Sequence, residues 1–249
     1  MIRTRAVQAN FDRASGRYEA HAPLQQQWRR ALLDETLPLL PATATVLDIG
    51  AGTGGMAAAA PEDWQMISLD LAPGMCREAL AHGPAVQADA NALPLASGSC
   101  DGVVSSLCLQ WITPRGQAMA EMHRVLRAGG IAAIMTLGRA TLQELRSLDA
   151  LRLLPMDALA HYIDDAENAG FDVLSAESWL ETHGYASLSA LLRSFKMIGA
   201  QAVDQRARAM GPDSFAALQR RYAAQFPHAE GVTASWEPML IMLRKRESV

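Results

Sequence analysis

Thr45-Val-Leu-Asp-Ile-Gly-Ala-Gly-Thr-Gly-Gly-Met56 decides the fold of this chain. Five β-prone residues run straight into a glycine turn, and the Ala-rich stretch from Met56 to Ala60 behind it forms helix readily. Strand, tight turn and helix in this order open an α/β sheet, whose ligands bind beyond the carboxyl ends of the strands. The alternation continues downstream. Strands are predicted at Gln65 to Asp70, Ala85 to Ala88, Asp101 to Ser106 and Ile131 to Leu137, with helices at Ala72 to Leu80 and Gln117 to Leu126. Further strands at Phe171 to Glu181 and Pro238 to Arg246 bring the sheet to seven, mostly parallel, with helices on both faces. Upstream, Val7 to Leu40 reads as helical, with Leu24, Trp28, Ala31 and Leu32 forming a stripe that Pro38 and Pro41 end. Ser187 to Gly199 and Asp213 to Phe226 also read as helical, which predicts a single domain with a helical insertion before the last strand.

Composition narrows the function classes. Of 249 residues, 50% are hydrophobic and 19% charged, as in a globular protein with a sizeable core. No run approaches the roughly 18 to 20 apolar residues of a membrane span, and the N-terminus lacks the apolar region of a secretory signal, so a cytoplasmic protein without a membrane partner is expected. Cys76, Cys100 and Cys108 are odd in number and include no C-x-x-C pair, which points to reduced thiols and no metal site. The net charge of −4 hides an asymmetry. Residues 1–30 carry six basic and two acidic side chains, residues 31–188 seven and nineteen, and residues 189–249 nine and five. Either this is ordinary surface patterning, or the two basic ends form a docking face for an acidic partner. No dense basic run with interleaved aromatics points to nucleic acid.

The glycine turn marks a ligand site. Gly50, Gly52 and Gly55 fit G-x-G-x-x-G, and Asp70 lies 20 residues after Gly50, so a dinucleotide and an oxidoreductase remain open on this motif alone. The acids favour another ligand. Asp48 precedes the turn, where a carboxylate repels a pyrophosphate but attracts an ammonium group. Asp89 closes the third strand, with Ala90 after it, and can accept a hydrogen bond from an adenine amino group. Three acids at three consecutive strand ends suit a cationic, phosphate-free adenosine ligand such as S-adenosylmethionine. For each acid singly, a helix-capping role is an equal alternative.

The segments Val46-Leu-Asp-Ile-Gly-Ala-Gly-Thr-Gly, Leu69-Asp-Leu-Ala-Pro-Gly-Met, Ala88-Asp-Ala-Asn-Ala-Leu-Pro-Leu and Arg124-Val-Leu-Arg-Ala-Gly-Gly resemble the class I S-adenosylmethionine-dependent methyltransferases. The resemblance covers residues 45–137. It implies a Rossmann-like fold in which Gly50, Ala51 and Gly52 meet the methionine and ribose, Asp70 the ribose hydroxyls, and Asp89 the adenine. Asp48, Gly54, Leu71, Ala90 and Leu107 complete the expected cofactor set, with S-adenosylhomocysteine as product. Phe11-Asp-Arg-Ala-Ser-Gly-Arg-Tyr-Glu-Ala-His-Ala-Pro-Leu-Gln, Leu109-Gln-Trp, Thr136-Leu-Gly-Arg-Ala-Thr-Leu-Gln-Glu-Leu and Ser194-Phe-Lys-Met-Ile-Gly-Ala look like the malonyl-(acyl-carrier protein) O-methyltransferase family of biotin synthesis. Ser106 and Phe195 depart from that family's pattern, which has Asn and more often Leu there. The opening around Phe11 and Tyr18 is shared with quinone-ring methyltransferases, so a small-molecule or quinone acceptor stands as the alternative. A non-catalytic adenosyl-ligand binder is also compatible with these motifs.

On this resemblance the acceptor is the free carboxylate of a malonyl thioester, carried on acyl-carrier protein or coenzyme A. A carboxylate is already ionised at neutral pH, so no general base is required. The expected division is a helical lid over 1–41, a cofactor-binding core over 42–140 and a helical insertion over 183–230 covering the acceptor. Tyr18, Arg139, Arg193 and Lys196 are the residues expected to orient the acceptor, with the arginines as carboxylate forks. For Arg193 and Lys196 a solvated helix face or a carrier-docking role is the alternative, and Trp111 is either a pocket wall or core.

Overall fold

The structure is a computed structural model that describes residues 4–149, 151, 153–200 and 211–247. Strand β1 (Thr45–Ile49) lies between β2 (Gln65–Asp70) and β4 (Cys100–Ser106), parallel to both. Strand β3 (Ala85–Gln87) pairs with β2, and β5 (Leu126–Leu137) with β4. The chain thus winds outward from β1 to β3, then crosses to the other side of β1 and continues through β4. Beyond β5, the late strand β10 (Pro238–Lys245) inserts antiparallel between β5 and β6 (Phe171–Ser178). The resulting order, β3-β2-β1-β4-β5-β10-β6, reverses at β1/β4, where the strands part and a crevice opens at their carboxyl ends.

Strand alternation sends side chains to two cores. Val46, Ile131, Ala133 and Met135 join one apolar cluster with Trp28, Leu32 and Leu33 of α2 (Pro23–Thr36). Leu47, Ile49, Ala132 and Ile134 join the other, with Met119 and Met122 of α5 (Arg115–Val125) and Tyr162 and Ala166 of α7 (Leu159–Asn168). Between these in sequence, α3 (Gly55–Ala59) follows the glycine turn, α4 (Pro73–Ala79) packs on β2 and β3, and α6 (Gln143–Ser147) follows β5.

Two expectations are revised. The helical reading of Val7 to Leu40 divides into α1 (Thr4–Ala14), two 3-10 turns at Ser15–Arg17 and Glu19–His21, and α2. Pro23 sets the start of α2: lacking an N–H, it cannot continue the turn before it but suits the first position of a new helix. The strand expected at Phe171 to Glu181 ends at Ser178, and Glu181–Tyr185 is a separate strand, β7, in a second sheet. There β9 (Gly231–Trp236) pairs antiparallel with both β7 and the short β8 (Pro227–His228). The insertion is therefore mixed rather than helical, joining this sheet to α8 (Leu188–Met197) and α9 (Pro212–Gln225). Residues 201–210 of the expected insertion and 1–3 of the expected lid lie outside the described residues.

Trp28 ties the parts together. Its ring is 1% exposed and lies 5.6 Å from the Trp236 ring, and its Nε1–H donates to Glu181 at 3.3 Å. Trp179 and His183 also bond to the Glu181 carboxylate. Burial raises its pKa, but these bonds outweigh that and leave it below the usual glutamate range. Trp28→Ala is expected to destabilise the protein by about 3–5 kcal/mol in urea unfolding, because a cavity opens where α2, the main sheet and the insertion meet.

Candidate active site

The glycine turn is held by an acid from the neighbouring strand. Asp70, the last residue of β2, accepts hydrogen bonds from Gly52 N (3.0 Å) and Ala72 N (2.8 Å), one on each carboxylate oxygen. Burial still pushes its pKa up, against the pull of those N–H donors. Gly50 must be glycine: its φ is +73°, and a Cβ there would lie 2.2 Å from the Cys108 sulfur. Gly52, at φ +56°, faces open space on the side a Cβ would fill, so a ligand can reach its backbone. Burial, together with the charges of Asp70 and Asp48, raises the Cys108 thiol and leaves it protonated.

Beyond these strand ends lies a cleft, partly open to solvent, whose empty space counted out through its mouth is about 910 Å³. Gly50, Gly52, Asp70 to Ala72, Ala88 to Asn91 and Ser106 to Cys108 form its floor and sides. The Asn91 Oδ1 is buried in this wall without a hydrogen-bond partner among the described residues, and exposed Asp89 stands beside it, accepting from Asn91 N at 2.9 Å. Two acceptors at one end, an acid at the middle and an open glycine turn at the other fit a ligand with an amino group, a diol and a polar tail.

Val7, Gln8, Phe11 and Tyr18 roof the cavity. Gln8 donates to the Leu71 carbonyl (2.9 Å), Asp12 accepts from Gly74 N (2.5 Å), and Phe11 meets Trp111 edge-on at 5.8 Å. Just past Tyr18, Glu19 accepts from Arg29 (3.1 Å) and from the Thr53 hydroxyl of the glycine turn (2.7 Å). Burial raises the Glu19 carboxyl, but these two partners more than offset it and hold the group ionised. Glu19 therefore joins the roof to the turn beneath it. Burial, then the charge of Glu19, moves the Tyr18 phenol up, so Tyr18 stays a neutral O–H donor.

A second cavity, about 550 Å³ counted in the same way with its open mouth, shares Phe11, Tyr18, Leu107 and Trp111 with the first. Leu137, Leu142, Met156, Phe195, Ile198 and Trp236 make it largely apolar, with Gln25, Gln110 and Thr141 as polar points. Leu107, at the junction, has φ +55°, an uncommon conformation for a non-glycine residue.

Of the residues singled out in the sequence, Gly50, Gly52, Asp70, Leu71, Asp89, Ala90 and Leu107 line the first cavity. Asp48, Ala51 and Gly54 do not. Asp48 is 2% exposed and shares the strand face of Val46, toward α2 and the charge of Arg29, and Gly54 is the left-handed N-cap of α3. Tyr18 lines both cavities, and Trp111 walls both. Arg139, Arg193 and Lys196, expected beside the acceptor, are exposed and line neither cavity. Helix periodicity is the reason on α8, where Leu188, Leu191 and Phe195 take the buried face and turn Arg193 and Lys196 to solvent. Gln8, Glu19, Thr53 and Asn91 were not anticipated as site residues. Their contacts run to distant segments, and the only local signal was the position of Glu19 beside Tyr18.

Comparison with known proteins places this geometry in a family. Residues 47–134 match the methyltransferase domain model. The chain is 32% identical to the malonyl-(acyl-carrier protein) O-methyltransferase of Methylococcus capsulatus, across 97% of this chain and 94% of that protein. It is 38% identical to the protein of the same name from Herminiimonas arsenicoxydans, across 86% and 85%. Among solved structures, the YcgJ protein of Bacillus subtilis superposes with a TM-score of 0.64 at 18% identity, covering 88% of this chain and all of that one (100%), a likeness of fold.

Burial, together with the charge of Asp70 and against that of Arg29, pushes the Asp48 carboxyl up to about 7. Its folded-state pKa then exceeds the unfolded one, so its contribution to stability is complete below about pH 4 and is lost as pH rises toward 7. Asp48→Asn is expected to gain stability relative to the wild type between pH 5 and 8, by up to roughly 3 kcal/mol in urea unfolding. Parallel pH profiles for the two proteins would contradict this account.

Proposed function

The chain belongs to the malonyl-(acyl-carrier protein) O-methyltransferase family, and on that premise we propose that it methylates the free carboxylate of a malonyl thioester on acyl-carrier protein, for biotin synthesis. As a member of that family it is a methyltransferase dependent on S-adenosylmethionine. The observation that carries the choice of acceptor is the largely apolar second cavity, which shares a wall of four residues with the cavity at the strand ends and is lined on one side by Phe195, Ile198 and Ala200 of the insertion.

When bound, S-adenosylmethionine supplies a methyl group on a positively charged sulfur. Asp70 would accept from the ribose hydroxyls with the lone pairs that its backbone partners leave open, and Asp89 and Asn91 Oδ1 would accept from the adenine amino group. Gly52 would bring backbone close to the methionine end. Residues 42–140 would then be the cofactor-binding core, and within the lid expected over 1–41 the segment before α2 would do the covering, since α2 packs on the sheet. Phe11, Tyr18 and Trp111 exclude water from the junction, which strengthens attraction between a carboxylate and a cation there. The acceptor is ionised at neutral pH, so the protein's task is alignment, and no base is needed. Methylation removes the carboxylate charge and leaves a neutral acyl thioester, with S-adenosylhomocysteine as the other product.

The insertion, residues 183–230, covers the acceptor and offers exposed cations to the carrier. Arg17 donates to the Met197 carbonyl at 3.2 Å, which brings the basic N-terminal segment against the α8 end that bears Arg193 and Lys196. An acidic carrier protein suits this rim.

Labelled methyl from S-adenosylmethionine is expected on malonyl-(acyl-carrier protein) and absent from the acetyl form, which lacks the carboxylate. Transfer to neither, with cofactor still bound, would refute the acceptor assignment. In the double variant Arg193→Glu/Lys196→Glu, KM for the carrier-bound substrate is expected to rise about tenfold or more, with little change for malonyl-coenzyme A. Equal loss with both substrates would remove the docking face.

A further inference from the structure

Neither cavity is lined by a lysine or arginine among the described residues, although the proposed acceptor is an anion. A neutral group is prepared in that place. Gln110 lies in a 3-10 turn (Leu109–Trp111) directly after β4 and lines the second cavity. Its Nε2 donates to the Leu107 carbonyl at 2.9 Å, and its Oε1 accepts from the Thr136 hydroxyl at 2.9 Å. A carbonyl can only accept, so the amide nitrogen must face Leu107 and the amide oxygen must face Thr136. The Thr136 hydroxyl hydrogen is thereby committed, and the Tyr162 hydroxyl 3.3 Å away becomes the donor to Thr136. Thr136 is fully buried, and Tyr162 is 1% exposed, with the Arg115 guanidinium stacked 3.9 Å over its ring. Asp157 and Asp165 in turn hold Arg115. This chain fixes the orientation of one amide at the cavity wall. The second N–H of that amide has no acceptor among the described residues.

We propose that Gln110 is the specificity-determining residue for the acceptor, donating its second amide N–H to one oxygen of the substrate carboxylate, with Thr136 and Tyr162 as positioning residues. This rests on the carboxylate-acceptor reading above. A guanidinium fork would engage both oxygens and neutralise the nucleophile. A single neutral donor anchors one oxygen and leaves the other charged and free to attack the methyl carbon. An acyl group without a carboxylate leaves the amide unpaired, which disfavours it strongly. The product ester is neutral and accepts a weaker hydrogen bond, so the same contact favours release after transfer.

The test compares a charged ligand with its neutral methyl ester in the intact protein. In Gln110→Leu, KM for malonyl-(acyl-carrier protein) is expected to rise about 10- to 100-fold, while binding of S-adenosylmethionine stays unchanged and binding of the carrier-bound malonyl methyl ester weakens about threefold at most. Thr136→Val, of the same shape, releases the amide from its orientation and should raise KM about 3- to 10-fold. Equal weakening of acid and ester would make Gln110 a structural residue and overturn the assignment, as would an unchanged KM in Gln110→Leu. A wild type inactive on malonyl-(acyl-carrier protein) would instead remove the premise, and the assignment with it.

Discussion

The carboxylate of Asp70 is the fixed point of this molecule. Its two oxygens take the backbone N–H groups of Gly52 and Ala72, so the acid at the end of β2 sets the turn after β1 and the entry to α4 together. The bonds stand beside the sheet's point of reversal at β1/β4, where the Leu69 carbonyl of β2 also accepts from Gly50 N (2.8 Å) and Ala51 N (3.0 Å). Without Asp70 the glycine turn would have no side-chain anchor from β2. With it, a flexible glycine-rich sequence becomes a shaped surface.

Everything above that surface is tied back to it from far away in sequence. Glu19 reaches the turn through Thr53, Asp12 meets the start of α4 through Gly74, and Gln8 bonds to the carbonyl of Leu71. The roof is therefore held by polar contacts around an apolar interior. The insertion is joined differently. Glu144 of α6 accepts from the backbone N (3.0 Å) and the hydroxyl of Ser235 on β9, and Glu181 of β7 accepts from Trp28 of α2, so acids secure the second sheet to two helices.

The central strands were legible in the sequence because their signals are local. Gln65–Asp70 ends where an acid precedes a proline-led helix, and β1 ends where glycines begin. The second sheet was not, since β9 (Gly-Val-Thr-Ala-Ser-Trp) is weakly apolar and owes its existence to pairing with residues some fifty positions upstream. The ligand-side glycines and acids could be read by spacing, except Asp48, whose strand parity turns it toward α2. That parity was already present in the alternation with Val46. Arg193 and Lys196 repeat the lesson: their charge suggested a carboxylate partner, while the apolar spacing of Leu188, Leu191 and Phe195 already assigned them to solvent. Gln110 was legible only as part of Leu109-Gln-Trp, without a role. Its orientation depends on Thr136 and Tyr162, which arrive from β5 and α7.

Phe11 and Tyr18 belong to both cavities, together with Leu107 and Trp111, so the two chambers have a party wall of four side chains. Two of the four come from the N-terminal segment and two from the stretch after β4. A change of rotamer or register in either segment therefore reshapes both chambers together, and neither can be remodelled alone through that wall.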